Sequence, residues 1–226
     1  TVATSVFRTA SNTTWAVKEL EKNIPFKIHI LSQKDEASLA YFAVSKLVPT
    51  NDFLVWDIGG GSMQMIYKNE KIDFMALSEM ASVAFKDEVI KKLQIKNKSS
   101  PNPIGKKHIN EMIKLSKQFA MKNINQEIKN IISKTKVYGI GGVHLKSINR
   151  QINQKLNNRF INQENLEKVI YGRCELADAA LGGKYPETDI TNLILVLGHM
   201  EALNILQYEV LDLNLTSGAI LKNEYF

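Results

Sequence analysis

The sequence has a single cysteine among its 226 residues, so no internal disulfide can form. Because disulfides are rare in reducing compartments, this scarcity predicts a cytoplasmic protein. Cys174 is expected to be a packing residue rather than a nucleophile, because apolar surroundings are the commoner setting for a lone thiol. No apolar run reaches the ~18 residues that a membrane span requires, so we expect no membrane segment and no signal peptide.

Glycine and proline are also few, with 12 and 5 residues, so we expect most of the chain to be ordered. The hydrophobic share of 44% is ample for the core of one large domain or two small ones. The four histidines show none of the spacings that metal ligands adopt, and we assign no metal to them.

Acidic residues are scarce in one segment. Between Lys106 and Lys155 there are eleven Lys or Arg residues and two acids, a net charge of +9 in a chain whose total is +6. This segment could bind a polyanionic partner, or it could be a solvated lysine-rich helix surface. Nucleic acid is not the partner we expect, because the segment lacks interleaved aromatic residues and any zinc or helix-turn-helix pattern.

Strands and helices are predicted to alternate along the chain, which is typical of an α/β fold. Two strands, near 1–7 and 26–31, and two helices precede a break at Pro49. Five further strands are predicted, at 53–58, 63–67, 72–77, 137–140 and 209–213. Helices are predicted between and after them, notably around 109–120, 145–156 and 163–206.

The segment Asp57–Ser62 is the strongest local signal for chemistry, since three consecutive glycines separate two apolar strands. Glycines let the backbone turn sharply and present N–H groups, and a concave row of amides binds phosphate oxygens. An acid at the end of the strand can hold Mg²⁺ or position water. The alternative is a plain glycine hairpin in which Asp57 only forms the turn.

A second glycine turn, Gly139–Gly142, lies between a predicted strand and a predicted helix. A strand-to-helix junction of this kind directs the first amides of the helix at an anion. Glycine turns of this pattern are common, so this one supports a phosphate site only in combination with the first.

The two turns, with three further stretches, resemble the exopolyphosphatase/guanosine-pentaphosphate phosphohydrolase (Ppx/GppA) family. The match covers nearly the whole chain, and its first three stretches are the most specific. They are Val2–Asn12, Ile30–Tyr41, Leu54–Ser62, Gly139–Gly142 and, faintly, Leu213–Leu221. The resemblance implies an actin-like ATPase fold, shared with heat-shock ATPases and sugar kinases. Its ribonuclease H-like mixed sheet is flanked by helices, with one partial and one near-complete domain.

The resemblance also implies roles for individual residues. Glu36 takes the place of the family's water-activating carboxylate, and Asp57 that of an acid that holds metal and phosphate. Arg8 matches an arginine near the cleft, where a forked cation suits phosphate oxygens. The implied phosphate-binding set is Arg8, Gly59, Gly60, Gly61, Ser62, Gly139, Gly141 and Gly142. The implied cofactor is Mg²⁺, held by Asp57 and, weakly, by Gln64. Without the resemblance, Glu36 would be taken for an acid at a helix start.

The sequence departs from the family pattern at several positions. Gln64 replaces a second glutamate, Val143 replaces a threonine, and arginines usual in the late helical region have no counterpart. The family's opening strand and first phosphate loop are also absent before Thr1. We therefore expect this chain to be a piece of a longer protein, with residues 1–49 from the first actin-like domain and residues 50–226 forming the second.

The expected activity is release of terminal phosphate from inorganic polyphosphate or guanosine pentaphosphate by metal-assisted attack of water in a bacterial enzyme. This piece alone is expected to be inactive, and family resemblance suggests a homodimer. One alternative is a catalytically weakened sensor that binds the same ligands. Another is a sugar or acetate kinase of the same superfamily.

Overall fold

The structure, a computed structural model, describes residues 1–69, 73–95, 99–152 and 159–222. Its strands are β1 (Val2–Ala3), β2 (His29–Ile30), β3 (Phe53–Ile58), β4 (Met63–Lys68), β5 (Asp73–Ser78), β6 (Lys136–Ile140), β7 (Phe160–Asn162) and β8 (Gln207–Val210). Its helices are α1 (Ser5–Thr9), α2 (Thr13–Glu21), α3 (Gln33–Ser45), α4 (Ser82–Lys92), α5 (Lys106–Asn123), α6 (Gln126–Ile132), α7 (Arg150–Ile152), α8 (Gln163–Arg173), α9 (Asp178–Leu181), α10 (Pro186–Leu203) and α11 (Leu215–Lys222). A π-helix, Val143–Asn149, runs directly into α7.

Six strands form one mixed sheet in the order β5-β4-β3-β6-β8-β7. Strand β3 pairs antiparallel with β4 and parallel with β6, and β6 pairs parallel with β8. The outer strands β5 and β7 are both antiparallel to their neighbours. The predicted mixed sheet flanked by helices is therefore confirmed. Strand β7 was not predicted, because its three residues are too few to show an alternating pattern.

Strand β3 separates two apolar layers, because successive side chains of a strand point to opposite faces. Leu54 and Trp56 pack into the larger core, which also contains residues of α5, α8 and α10. Phe53 and Val55 pack with the inner face of α3. All six residues of β3 are buried, and the continuous apolar run that predicted this strand follows from burial on both faces.

A second, two-stranded sheet joins β1 and β2 in parallel. The prediction of one strand over residues 1–7 was wrong beyond Ala3, since Ser5–Thr9 is helical. Val6, whose branched side chain favoured a strand, is 72% exposed and is not part of the buried hydrophobic core of the described residues. The division into domains at residue 49 stays a prediction.

Helix α3 is anchored at its start by reciprocal hydrogen bonds. The hydroxyl of Ser32 accepts from the backbone N–H of Asp35, and the Asp35 carboxylate accepts from the N–H of Ser32. This capping box fixes the first turn of the helix. Glu36 follows directly, and its side chain is buried at the end of the six-stranded sheet.

Candidate active site

The first glycine turn joins β3 to β4 and also supports the start of α4. The N–H of Gly59 donates to the carbonyl of Ser62 at 2.9 Å, which closes the turn. The carbonyl of Gly60 accepts from the N–H of Val83 at 3.0 Å, in the first turn of α4. A Cβ on Gly61 would come within 2.7 Å of the Ser5 hydroxyl, so α1 packs closely on the turn.

The second glycine turn meets the first at Asp57. Gly141 follows β6 with a φ of +85°, a conformation that favours glycine. A Cβ at this position would lie 2.1 Å from Oδ1 of Asp57 and 2.9 Å from the carbonyl oxygen of Ile58. Only a residue without a side chain fits there. The two turns, some eighty residues apart in sequence, therefore enclose one carboxyl group.

Glu36 is the most highly coordinated side chain of the site. Its Oε1 accepts from Arg8 at 2.5 Å, and its Oε2 accepts from Ser62 at 3.1 Å and from Gln64 at 3.3 Å. Arg8 also donates to the carbonyl of Leu31 at 2.8 Å, which fixes the guanidinium. Four predicted site residues are thus brought into direct contact. The short helix α1 is what turns Arg8 toward the sheet.

Asp57 stands opposite Gln64 in the β3–β4 register, on the same face of the sheet as α3. It is 6% exposed. Burial, followed by the negative charge of Glu36, raises the pKa of Asp57 to about 7. Within the described residues, no cation or hydrogen-bond donor offsets these two effects. The carboxyl group can therefore exchange a proton near neutral pH, whereas Glu36 is held by three donors.

A cleft of about 430 Å³ opens beside both turns. Gly59, Gly60 and Gly142 line one side of it. Lys146, Arg150 and Lys184 bring three cationic side chains to the same cleft. These cations were not among the predicted site residues. A signal was present, because residues 142, 146 and 150 recur at a spacing of four, which places them on one face of a helix.

A hydrogen-bonded network forms the floor of the cleft. Asp189, on the first turn of α10, accepts from Ser147 at 2.9 Å and forms an ion pair with Arg150. Ser147 in turn accepts from Gln151 at 3.3 Å and from Asn192 at 3.2 Å. Since the hydroxyl proton of Ser147 goes to Asp189, the amide of Asn192 must donate to Ser147. Among the described residues, Oδ1 of Asn192 is then left buried without a hydrogen-bond partner.

Two predicted phosphate ligands have other neighbours in the structure. Gly139 lies within β6, where a Cβ would meet the ring of Tyr208 at 2.6 Å and His144 at 3.0 Å. Its lack of a side chain makes room for that core. Gly61 lies against Ser5, and neither glycine is among the residues that line the cleft. Their assigned roles stay predictions.

The described residues contain no group of three or more His, Cys, Asp or Glu side chains arranged to hold a metal ion. Cys174 is a buried free thiol, in line with a packing role. None of the helices in the described ranges is both long enough and apolar enough to cross a membrane.

A family model described as the Ppx/GppA phosphatase family matches residues 1–221. The solved structure of the Ppx/GppA enzyme of Aquifex aeolicus superposes with a TM-score of 0.76 at 16% identity, over 98% of this chain and 74% of that one. An exopolyphosphatase from Cytophaga hutchinsonii superposes with a TM-score of 0.75 at 15% identity, over 98% and 73%. At these identities the superpositions establish the fold, which is the predicted actin-like ATPase fold.

Proposed function

The chain belongs to the Ppx/GppA phosphatase family, and from this membership and the geometry of the cleft we propose that it hydrolyses the terminal phosphoanhydride of a polyphosphorylated substrate. The two candidate substrates are inorganic polyphosphate and guanosine pentaphosphate. The proposal depends on one observation, the close approach of Gly141 in the second turn to the carboxyl group of Asp57 at the start of the first.

The site has the parts that attack of water on a terminal phosphorus needs. The backbone amides of Gly60 and Gly142 and the cations Lys146 and Lys184 lie along the cleft and offer donors for phosphate oxygens. The N–H groups of Gly59 and Gly141 already donate to the carbonyls of Ser62 and Leu213. Arg8, Ser62 and Gln64 orient Glu36, which would accept the proton of the attacking water. Arg8 positions Glu36 in this arrangement, and its role as a direct phosphate ligand stays a prediction.

The donor set around Asp57 is compatible with Mg²⁺. This ion needs only one or two carboxylates from the protein, because waters and substrate phosphates complete its coordination. Within the described part of the chain, no hydrogen-bond donor or cation offsets the charge of Asp57, and Gln64 stands opposite it in the register. When bound, Mg²⁺ would neutralise charge that develops on the phosphoryl oxygens. Gln64 is a weak ligand here because its amide donates to Glu36.

A binding protein without turnover is the second candidate. It is favoured by Gln64, which cannot ionise and is already bonded to Glu36. A dimeric state, suggested by the resemblance, and a cytoplasmic location, suggested by the scarcity of cysteine, stay predictions.

The test is phosphate release from both substrates by the wild-type protein and by Glu36→Gln, with Glu111→Gln as the control. Glu111 is a half-exposed carboxylate paired with Lys92, outside the site. We expect Glu36→Gln to lose most of the activity and Glu111→Gln to keep it. Equal rates for Glu36→Gln and wild type would refute the role of Glu36. Tight calorimetric binding of either substrate without phosphate release would favour the binding protein.

A further inference from the structure

The segment Gly182–Tyr185 connects α9 to α10 and forms one wall of the cleft. Its two glycines have φ values of +67° and +87°, so the backbone follows a path that other residues rarely adopt. The path brings Lys184 and Tyr185 to the cleft, opposite the glycine turns. We call residues 182–185 the double-glycine loop.

The ends of the double-glycine loop are fixed by hydrogen bonds. Leu181, just before it, is buried, and its carbonyl accepts from Arg173 at 2.9 Å. At the other end, the carbonyl of Tyr185 accepts from the N–H and the hydroxyl of Thr188. Between these anchors, the nearest side chain to Gly183 is that of Arg150.

The guanidinium of Arg150 lies directly under Gly183. A Cβ on Gly183 would be 2.9 Å from one terminal nitrogen of Arg150 and 3.0 Å from the central carbon of the guanidinium. That guanidinium is itself fixed by its ion pair with Asp189, whose side chain is 4% exposed. The Asp189 carboxylate is fixed in turn by Ser147. A rigid chain of contacts therefore runs from the second glycine turn to the loop.

We propose that Arg150 is a positioning residue, which supports the double-glycine loop so that Lys184 and Tyr185 face the substrate. Its positive charge is committed to Asp189 and is not available to a phosphate. This inference rests on the proposed function for its effect on substrate, but the order of the loop can be measured without any substrate.

Substitution of Asp189 distinguishes positioning from direct binding, because the two roles predict opposite signs. If Arg150 supports the loop, Asp189→Asn releases the guanidinium, and KM rises by about fivefold with little change in kcat. If Arg150 instead binds phosphate directly, loss of the competing carboxylate frees its charge, and KM falls. Arg150→Ala should raise KM by a similar factor, and the double variant should be no worse than either single one.

Limited trypsin digestion gives a readout that needs no activity. Cleavage after Lys184 requires the loop to leave its support, so Arg150→Ala should release the fragment that begins at Tyr185 several times faster than wild type. Arg150→Lys should restore only part of the protection, because an ammonium lacks the planar face of a guanidinium. Lys146→Ala is the matched control, since it removes a cleft cation but leaves the Arg150–Asp189 pair intact.

Thermal unfolding of each variant shows whether it is folded. Should Asp189→Asn not fold, Arg150→Gln tests the same contact from the more exposed side. Unchanged cleavage after Lys184 in Arg150→Ala or Arg150→Gln, or a lower KM in Asp189→Asn, would overturn the inference. Faster cleavage in a protein that releases no phosphate from either substrate would leave the support of the loop standing and defeat the proposed function.

Discussion

Buried ionisable groups lie on both faces of β3, but their surroundings and their pKa values differ. On the face toward α3, Asp57 lies near Glu36, whose charge is balanced by Arg8 and two hydrogen-bond donors. On the other face, Trp56 packs against the rings of His144 and His199, with centroid distances of 4.9 and 6.0 Å. Both imidazoles are fully buried.

The two faces differ in solvent access and in the partners of their ionisable groups. Burial lowers the pKa of His144 to about 3 and that of His199 to about 4, so both stay neutral in the folded protein. Asp57, at the end of the strand, has a pKa of about 7 and can change its charge near neutral pH. One face of a single strand therefore carries a group that can change its charge near neutral pH, and the other carries imidazoles that stay neutral in the core. Four predictions test this contrast between the two faces.

Asp57→Asn should have the largest effect, and in opposite directions on activity and stability. We expect phosphate release to fall by about 10²–10⁴-fold, as for loss of a catalytic carboxylate. The raised pKa of Asp57 means that the folded state resists ionisation of this group, so the group lowers the free energy of unfolding increasingly as the pH rises from 3.8 to about 7, and in full above pH 7. The free energy of unfolding at pH 8 should therefore rise by about 1–3 kcal/mol in the variant.

Denaturant unfolding and phosphate-release rates, measured on the same preparation, check the expected gain in stability and the expected loss of activity. A variant that loses activity together with stability would place Asp57 among the structural residues, and the contrast between the two faces would fail.

Gly141→Ala should also abolish most of the activity, by about 100-fold, because a Cβ would occupy the position of the Asp57 carboxyl oxygen. The positive φ adds backbone strain of about 1–3 kcal/mol. Gly172→Ala is the control outside the site, since Gly172 lies within α8 and has no described atom within 4 Å of the added Cβ. Steady-state kinetics of the two variants should differ strongly, and equal losses would show that the space at Gly141 is not what matters.

Gly139→Ala tests the other face two residues earlier. Its Cβ would overlap the ring of Tyr208, so we expect a loss of about 1–3 kcal/mol in unfolding free energy. The site on the far side of the sheet should keep its kcat within about twofold, since additivity holds for separated sites. Urea titration gives the unfolding free energy, and steady-state kinetics below the unfolding transition give kcat. A large fall in kcat at full folding would instead support the predicted phosphate-binding role of Gly139.

The buried groups on the two faces should change the free energy of unfolding in opposite directions as the pH changes. Between about pH 4.5 and 6, unfolding lets His144 and His199 take up protons, whereas Asp57 loses the one that its raised pKa retains. The net uptake is one proton. These groups should therefore lower the free energy of unfolding by about 1.4 kcal/mol for each unit that the pH falls.

Asp57→Asn removes the opposing group, and the same slope should double to about 2.7 kcal/mol per pH unit. Urea titrations at several pH values measure it. An unchanged slope in the variant would mean that Asp57 is already ionised in the folded protein at pH 5.

Much of the site could be predicted from the sequence because its parts are local signals. Three glycines after a buried strand, and Glu36 in the first turn of a capped helix, are visible without a fold. The family resemblance, confirmed over residues 1–221, supplied the information that these parts belong together.

What the sequence could not show is how each donor is used. Gln64 was considered as a metal ligand, but only the β3–β4 register shows that it reaches Glu36. Lys184 belongs to the cleft because two positive-φ glycines redirect the chain, which composition does not encode. Part of the segment predicted as a helix over 145–156, and Glu70 of the predicted β4–β5 turn, lie outside the described residues.

A crystal structure of the protein with bound phosphate or tungstate would test the shared site most directly. We expect anion density between the two turns, within hydrogen-bond distance of amides in both Gly59–Ser62 and Gly139–Gly142. An anion held by only one turn, or bound elsewhere while the cleft contains solvent alone, would contradict a single phosphate site around Asp57.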